Sequence, residues 1–294
     1  MPTFAVSPTQ PFHFQRMARR LLQLEKSTYR ELNGYVVRTV RLSKEPFLIG
    51  FRYDEGGQQL QVDVKGQVTD EQLSEAEQLV RHMFSTDVDL SQFYRHAAED
   101  CHLAPLTNQF AGVRMVRDPD LFECLVKTVI SQQLNLAFAG TLTKRLIALA
   151  GDTLEAEGKT WRVFPTPEQV AKLRYEQLQQ LQFNRRKAEY IIDIARKIVD
   201  GALDLDSLLN MADEEVVATL TRVRGVGRWT AECLLLFGMG RPDLLPAADI
   251  GLRNAVRRVY KLDRQPTETE VRNIGSAWSP WSSYATFYLW ESLG

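Results

Sequence analysis

Apolar positions along the chain change period once, near residue 112, and that change predicts the architecture. Upstream the period is two. Tyr35 to Leu42 is rich in β-branched residues and alternates through Val36, Arg38, Val40 and Leu42, as a half-buried strand does. Pro46 to Tyr53 and Gln58 to Lys65 flank Asp54-Glu55-Gly56-Gly57, a hairpin turn. Thr69-Asp70-Glu71-Gln72 is a capping box opening a helix with Leu73, Ala76, Leu79, Val80 and Met83 on one face. A curved antiparallel sheet with a helix packed against it follows. Downstream every segment reads as helix. Asp118-Pro119 fits an N-cap with proline at the first helical position. Thr166-Pro167-Glu168-Gln169 and Thr267-Glu268-Thr269-Glu270 are two further capping boxes. The expected class is α+β: an N-terminal antiparallel sheet with helices over residues 1–112, then an all-α domain over 113–294.

Composition narrows the function classes. At 294 residues, 44% hydrophobic and 25% charged, the chain has the make-up of a soluble globular protein of two ordinary domains. No apolar run approaches the ~20 residues of a membrane helix, and the start lacks a basic-then-apolar signal pattern. Membranes are excluded as partners and a cytoplasmic location is expected, nucleoid-associated in a bacterium or nuclear in a eukaryote. Three widely spaced cysteines, Cys101, Cys124 and Cys233, fit reduced thiols and cannot supply a four-cysteine iron–sulfur cluster. The net charge of −1 makes any nucleic-acid binding a matter of a local patch. All four histidines (His13, His82, His96, His102) lie early in the chain, so later chemistry falls to carboxylates.

The richest segment lies between residues 213 and 249. Asp213 to Leu220 reads as a helix with an acidic first turn, and Trp229 to Phe237 as a second, with Ala231, Leu234 and Leu235 at helical spacing. Between them, Gly225-Val226-Gly227 permits a sharp turn and leaves backbone N–H groups uncovered. Beside a helix N-terminus such groups suit a phosphate oxygen. Arg222, Arg224 and Arg228 surround the turn as phosphate contacts or as a solvated face. Asp249 follows the second glycine by 22 residues and precedes a helix from Ile250 to Tyr260, so on local sequence it is also a plain N-cap.

This pattern resembles the helix-hairpin-helix motif of the DNA glycosylase superfamily, here at about residues 213–237, with Arg224 where that family usually has proline. Across residues 113 to 294 the chain is similar to the 3-methyladenine DNA glycosylase II family, the alkylation-repair branch. The similarity runs through Asp118-Pro119-Asp120-Leu121-Phe122-Glu123, Ile130-Ser131-Gln132-Gln133-Leu134-Asn135, Phe164-Pro165-Thr166-Pro167 and Arg185-Arg186-Lys187-Ala188-Glu189-Tyr190. It continues after the hairpin in Leu245-Pro246-Ala247-Ala248-Asp249 and Trp278-Ser279-Pro280-Trp281-Ser282-Ser283-Tyr284-Ala285. The N-terminal third is similar mainly in its sheet-and-helix plan.

The resemblance implies a helix-hairpin-helix glycosylase domain acting on double-stranded DNA with alkylated bases, as a monomer. Asp249 takes the position of the catalytic aspartate, whose charge stabilises the oxocarbenium-like sugar as the N-glycosidic bond breaks. Asp243, Asp263 and Glu232 are competing carboxylates off the motif position. Trp229 stands where strand-cleaving relatives carry a Schiff-base lysine, which implies a monofunctional enzyme. Its ring, unless merely core, suits an electron-poor base. Cys233 replaces a pocket tyrosine, and from the cluster Trp278, Trp281, Tyr284 and Trp290 only Trp290 is expected to reach the pocket. Gln133, otherwise a solvent-facing turn residue, takes the place of the side chain that fills the gap left by a flipped base. Gly225, Val226, Gly227, Arg224 and Arg228 take DNA-binding positions. No cofactor is implied beyond a monovalent cation that relatives often hold between hairpin carbonyls and a phosphate. Two alternatives stay open: removal of oxidised or deaminated bases, and a non-catalytic helix-hairpin-helix module.

Overall fold

A computed structural model describes residues 3–23 and 28–294. Strands β1 (Thr3–Val6), β2 (Arg30–Leu32), β3 (Tyr35–Leu42), β4 (Glu45–Asp54) and β5 (Gln59–Lys65) form one antiparallel sheet in the order β1-β5-β4-β3-β2. The Asp54 turn closes β4 on β5 with Asp54 opposite Gln59 and Phe51 opposite Val62. The helix Asp70–Phe84 begins at the expected capping box, in which Gln72 N donates to Thr69 Oγ1 at 3.2 Å and Thr69 N to Gln72 Oε1 at 3.0 Å. Its buried face packs on the sheet, with Phe84 meeting Phe51 edge-on at 4.8 Å. Each such buried side chain contributes about 1.5–3 kcal/mol over its exposed state.

Beyond residue 113 the chain is helical, and its centre is the helix Leu121–Ser131, apolar nearly all round and buried at Phe122, Cys124, Leu125, Val126, Val129 and Ile130. A helix with that composition has to lie inside a bundle. It packs against the helices Leu136–Ala150, Arg185–Val199 and Arg228–Cys233. The N-cap is Asp120, not Asp118: Glu123 N donates to Asp120 Oδ1 at 2.7 Å, while Asp118 is drawn into an ion pair with Lys127. The other two expected capping boxes form at Thr166 and Thr267.

Two features were not predicted by the helical period. The helical domain carries a short hairpin, β6 (Thr153–Ala156) and β7 (Lys159–Arg162), turned through Glu157 and Gly158 at φ 54 and 67. Two successive positive φ angles are those of a type I′ turn. The hairpin docks on the first sheet, where Thr39 Oγ1 donates to Arg162 O at 2.8 Å. The second is a π-helical segment, Leu234–Met239, that continues the helix Arg228–Cys233 and stops at Gly240 with φ 71. Among the described residues no helix is long and apolar enough to cross a membrane.

Buried charge welds the sheet to the bundle. Arg38 on β3 reaches Glu123 through both carboxylate oxygens, at 2.8 and 3.0 Å, with 2% and 1% of the two side chains exposed. Lys127 lies 3.4 Å from the same carboxylate. Arg114 is equally internal, and its guanidinium donates to the carbonyls of Ser85 and Pro11 at 3.0 and 3.3 Å and also to those of Val88 and Thr9. These contacts leave the helical domain little freedom against the sheet.

Candidate active site and nucleic-acid interface

Asp249 is both an N-cap and the centre of an aromatic enclosure. The loop Leu245-Pro246-Ala247-Ala248 turns back so that Asp249 N donates to Pro246 O at 2.8 Å. Oδ1 accepts from Leu252 N at 2.7 Å, which caps the helix Ile250–Val259. The same oxygen accepts from Trp290 Nε1 at 3.1 Å, and Oδ2 accepts from Trp229 Nε1 at 3.0 Å. Asp249 is half-buried, as are Trp229 and Trp290. Capping and chemistry are therefore compatible uses of one carboxylate. The donors fix its plane, and a fixed negative charge in a partly dry site stabilises a developing cation at little reorganisation cost.

The enclosure extends to residues with no role in the motif. Phe237, in the π-helical segment, stacks on Trp290 with centroids 5.7 Å apart and an interplanar angle of 20°. Gly251 leaves room for the arrangement: a Cβ there would stand 3.0 Å from Asp249 Oδ1 and 3.4 Å from Trp290 Nε1. Phe237 is hidden in sequence because Leu234 to Phe237 is one apolar run. Gly251 carries a readable signal, a glycine in the first turn of a helix where glycine is unfavourable.

Cys233 is buried rather than lining open space, and its burial, together with the nearby Asp249 charge, pushes its thiol well above the ordinary range. Trp278 and Tyr284 are core, and Trp281 packs on Phe93 and Tyr284 at 6.3 and 5.8 Å. Of the C-terminal aromatics named from sequence, Trp290 is the one that bonds Asp249. Two of the three competing carboxylates are engaged elsewhere: Asp243 accepts from the Ser279 and Ser282 hydroxyls at 2.6 and 2.5 Å, and Glu232 pairs with Arg228.

The hairpin glycines differ in kind. Gly225 has φ 92, and a Cβ on it would lie 2.2 Å from the Tyr190 ring. Gly227 has open space where its Cβ would be, and its amide meets no acceptor among the described residues. Val226 is an anchor, 5% exposed, with its N–H given to Val223 O at 3.0 Å. Arg224 pairs with Glu189 at 2.6 Å and Arg228 with Glu232 at 3.0 Å, while more than half of each arginine side chain stays exposed. The exposed edges of the guanidinium groups can add a phosphate contact, but the carboxylates are largely buried, 12% exposed for Glu189 and 3% for Glu232, so drawing either arginine off its partner would be costly. Gly225→Ala is expected to cost at least about 1–2 kcal/mol from the left-handed backbone alone. Gly227→Ala is expected to leave the melting temperature unchanged while weakening DNA binding. Thermal melts of both variants check this, and equal losses would refute it.

Gln133 stands at the rim of the same face. Ser131 to Leu134 is a type II turn, with Gln132 at φ −48 and ψ 123, Gln133 at φ 55, and Leu134 N donating to Ser131 O at 3.1 Å. Gln133 holds the position that favours glycine or asparagine, a conformation that costs about 1–3 kcal/mol for other residues. Its side chain is exposed. Gln132 ties the turn to the hairpin, donating through Nε2 to Gly225 O at 2.8 Å and Thr230 Oγ1 at 2.9 Å. Sequence reasoning gave Gln132 no role.

Comparison with known proteins agrees with this arrangement. Residues 126–280 match the family described as HhH-GPD superfamily base excision DNA repair protein, and residues 8–125 match the 8-oxoguanine DNA glycosylase N-terminal domain. The Bacillus subtilis protein YfjP is 36% identical over 98% of each chain. A DNA-3-methyladenine glycosylase of the same organism is 38% identical, over 74% of this chain and 73% of its own. The 3-methyladenine DNA-glycosylase structure from Archaeoglobus fulgidus superposes with a TM-score of 0.86 over 98% of this chain and 97% of that one, at 24% identity. At that identity the likeness speaks for the fold. The hairpin at Gly225, the aspartate held at the next helix and the family match spanning both place this chain in the HhH-GPD superfamily of base excision DNA repair proteins.

Proposed function

We propose that the protein is a monofunctional DNA glycosylase that flips alkylated purines of the 3-methyladenine and 7-methylguanine class and hydrolyses their N-glycosidic bond. The observation that carries this reading is the Asp249 carboxylate held between two indole N–H groups, with no amine among its hydrogen-bond partners in the described residues. An N3- or N7-alkylated purine is cationic and leaves without strong acid assistance, so one fixed negative charge facing the sugar is the main requirement. Trp229, Trp290 and Phe237 offer aromatic faces to such a base, an attraction of about 0.5–2 kcal/mol. The Gly225 to Gly227 hairpin binds a backbone phosphate, Arg224 and Arg228 assist it, and Gln133 fills the gap in the duplex. The alkylation-repair relative from Bacillus subtilis supports the substrate class.

A second reading, removal of an oxidised purine, is favoured by the match of residues 8–125 to the 8-oxoguanine glycosylase N-terminal domain. Strand cleavage in that chemistry uses a nucleophilic amine. Among the described residues, Lys187 is a lysine whose ammonium is lowered by burial, to about 8. It is buried, however, and its N–H groups are given to Val129 O and Gln132 O at 3.0 and 2.6 Å. The test is base release from methylated DNA beside 8-oxoguanine DNA, with borohydride added to trap an imine. Release of 3-methyladenine or 7-methylguanine with no covalent adduct is expected. Release confined to 8-oxoguanine, or a stoichiometric adduct on a lysine, would overturn the proposal.

A further inference from the structure

The strained turn at Gln133 is bolted at one residue and free at the next. Gln132 spends its side-chain amide on Gly225 O and Thr230 Oγ1, and its own carbonyl accepts from Lys187 Nζ at 2.6 Å. Lys187 also donates to Val129 O at 3.0 Å, in the last turn of the helix Leu121–Ser131. Thr230 and Lys187 are buried, so water competes poorly for these bonds. Gln133, one residue on, is exposed, and its side chain makes no hydrogen bond to any described residue. Each end of the Gln132 amide tie lands beside a functional position: Gly225 is the inner hairpin glycine, and Thr230 follows Trp229.

We propose that Gln132, seated on Lys187, is a positioning residue that locks the Ser131–Leu134 turn to the hairpin and so holds Gln133 in the one orientation from which it enters a duplex. The plug, the phosphate-binding turn and Trp229 then form one rigid unit. Gln133 does not have to be ordered when the base leaves the stack, and pre-ordering of this kind is worth rate directly. The proposal rests on the reading of Gln133 as the plug given above. It adds a residue that touches neither DNA nor base and acts through its neighbour.

A double-mutant cycle on single-turnover excision from a matched, alkylated pair tests it. Gln132→Ala is expected to slow excision by about tenfold, the scale of one or two lost hydrogen bonds. In a Gln133→Ala background the same change is expected to cost less than about twofold, because the side chain it positions is gone. Gln132→Met, of similar length but without donors, gives the same pattern should Ala disturb folding, and thermal melts identify that case. Equal losses in both backgrounds would overturn the proposal and make Gln132 a support of the hairpin alone. Should Gln133→Ala excise a matched lesion at the wild-type rate, the plug reading itself falls and the proposal falls with it.

Discussion

Asp249→Asn is expected to slow release of an alkylated purine by at least about 100-fold, the scale of losing one preorganised electrostatic contributor, while binding to duplex DNA persists. Asparagine is as good an N-cap as aspartate, so the Leu252 N contact and the helix Ile250–Val259 survive the change. What changes is the charge, and also the hydrogen-bond sense on one side. If the amide oxygen keeps Leu252 N and Trp290 Nε1, the amide nitrogen faces Trp229 Nε1–H, donor against donor. Trp229 then tilts away from the site. Single-turnover base release, with affinity and melting temperature measured on the same preparation, separates loss of charge from loss of fold. Release close to the wild-type rate would remove Asp249 from the chemistry.

Glu123→Gln is expected to be the most destabilising single change considered, at about 3–5 kcal/mol, the range for breaking a buried ion pair from one side. The two partners are not equivalent. Without the Glu123 charge, the Arg38 guanidinium, with 2% of its side chain exposed, still meets the Thr39 carbonyl at 3.1 Å and the Tyr29 ring at 5.0 Å, but it loses the carboxylate that neutralises it. Without Arg38, Glu123 still has Lys127 at 3.4 Å. Arg38→Met is therefore expected to cost less than Glu123→Gln, and the double change to methionine at both positions to recover much of the loss. Denaturant melts of the three variants decide this. A reversed order would mean that Lys127 does not compensate Glu123.

The parts of this molecule that were legible in sequence are those encoded by local rules. Capping boxes at Thr69, Thr166 and Thr267, the Asp54 turn and the β-branched run of β3 each depend on residues within four or five positions, although β3 is buried on both faces from Val36 to Val40 and its alternation does not carry into burial. The β6–β7 hairpin had a local signal as well, Glu157-Gly158 between alternating residues, masked by the helices around it. At the site, Asp249 and Trp229 were found as positions in a motif and Trp290 as one of a C-terminal aromatic cluster, and their meeting at 3.0 and 3.1 Å is a product of packing between distant helices. Gln132 and Phe237 were missed for the same reason. A glutamine whose amide reaches 93 positions along the chain leaves no trace in its neighbours. Arg224 and Arg228 were read as basic contacts; Glu189 answers Arg224 only in three dimensions, whereas Glu232 answers Arg228 across one helical turn, a spacing the sequence does show.

The π-helical segment Leu234–Met239 amounts to a residue of extra length within a helix. Each residue of an α-helix advances the azimuth by about 100°. Shortening this segment by one would swing Phe237 off the Trp290 ring and turn the following Gly238 and Met239 by the same step. Insertion and deletion are thus a second alphabet for writing this pocket, beside substitution. An alignment of side chains that ignores such a slip in phase would put the wrong residue against Trp290.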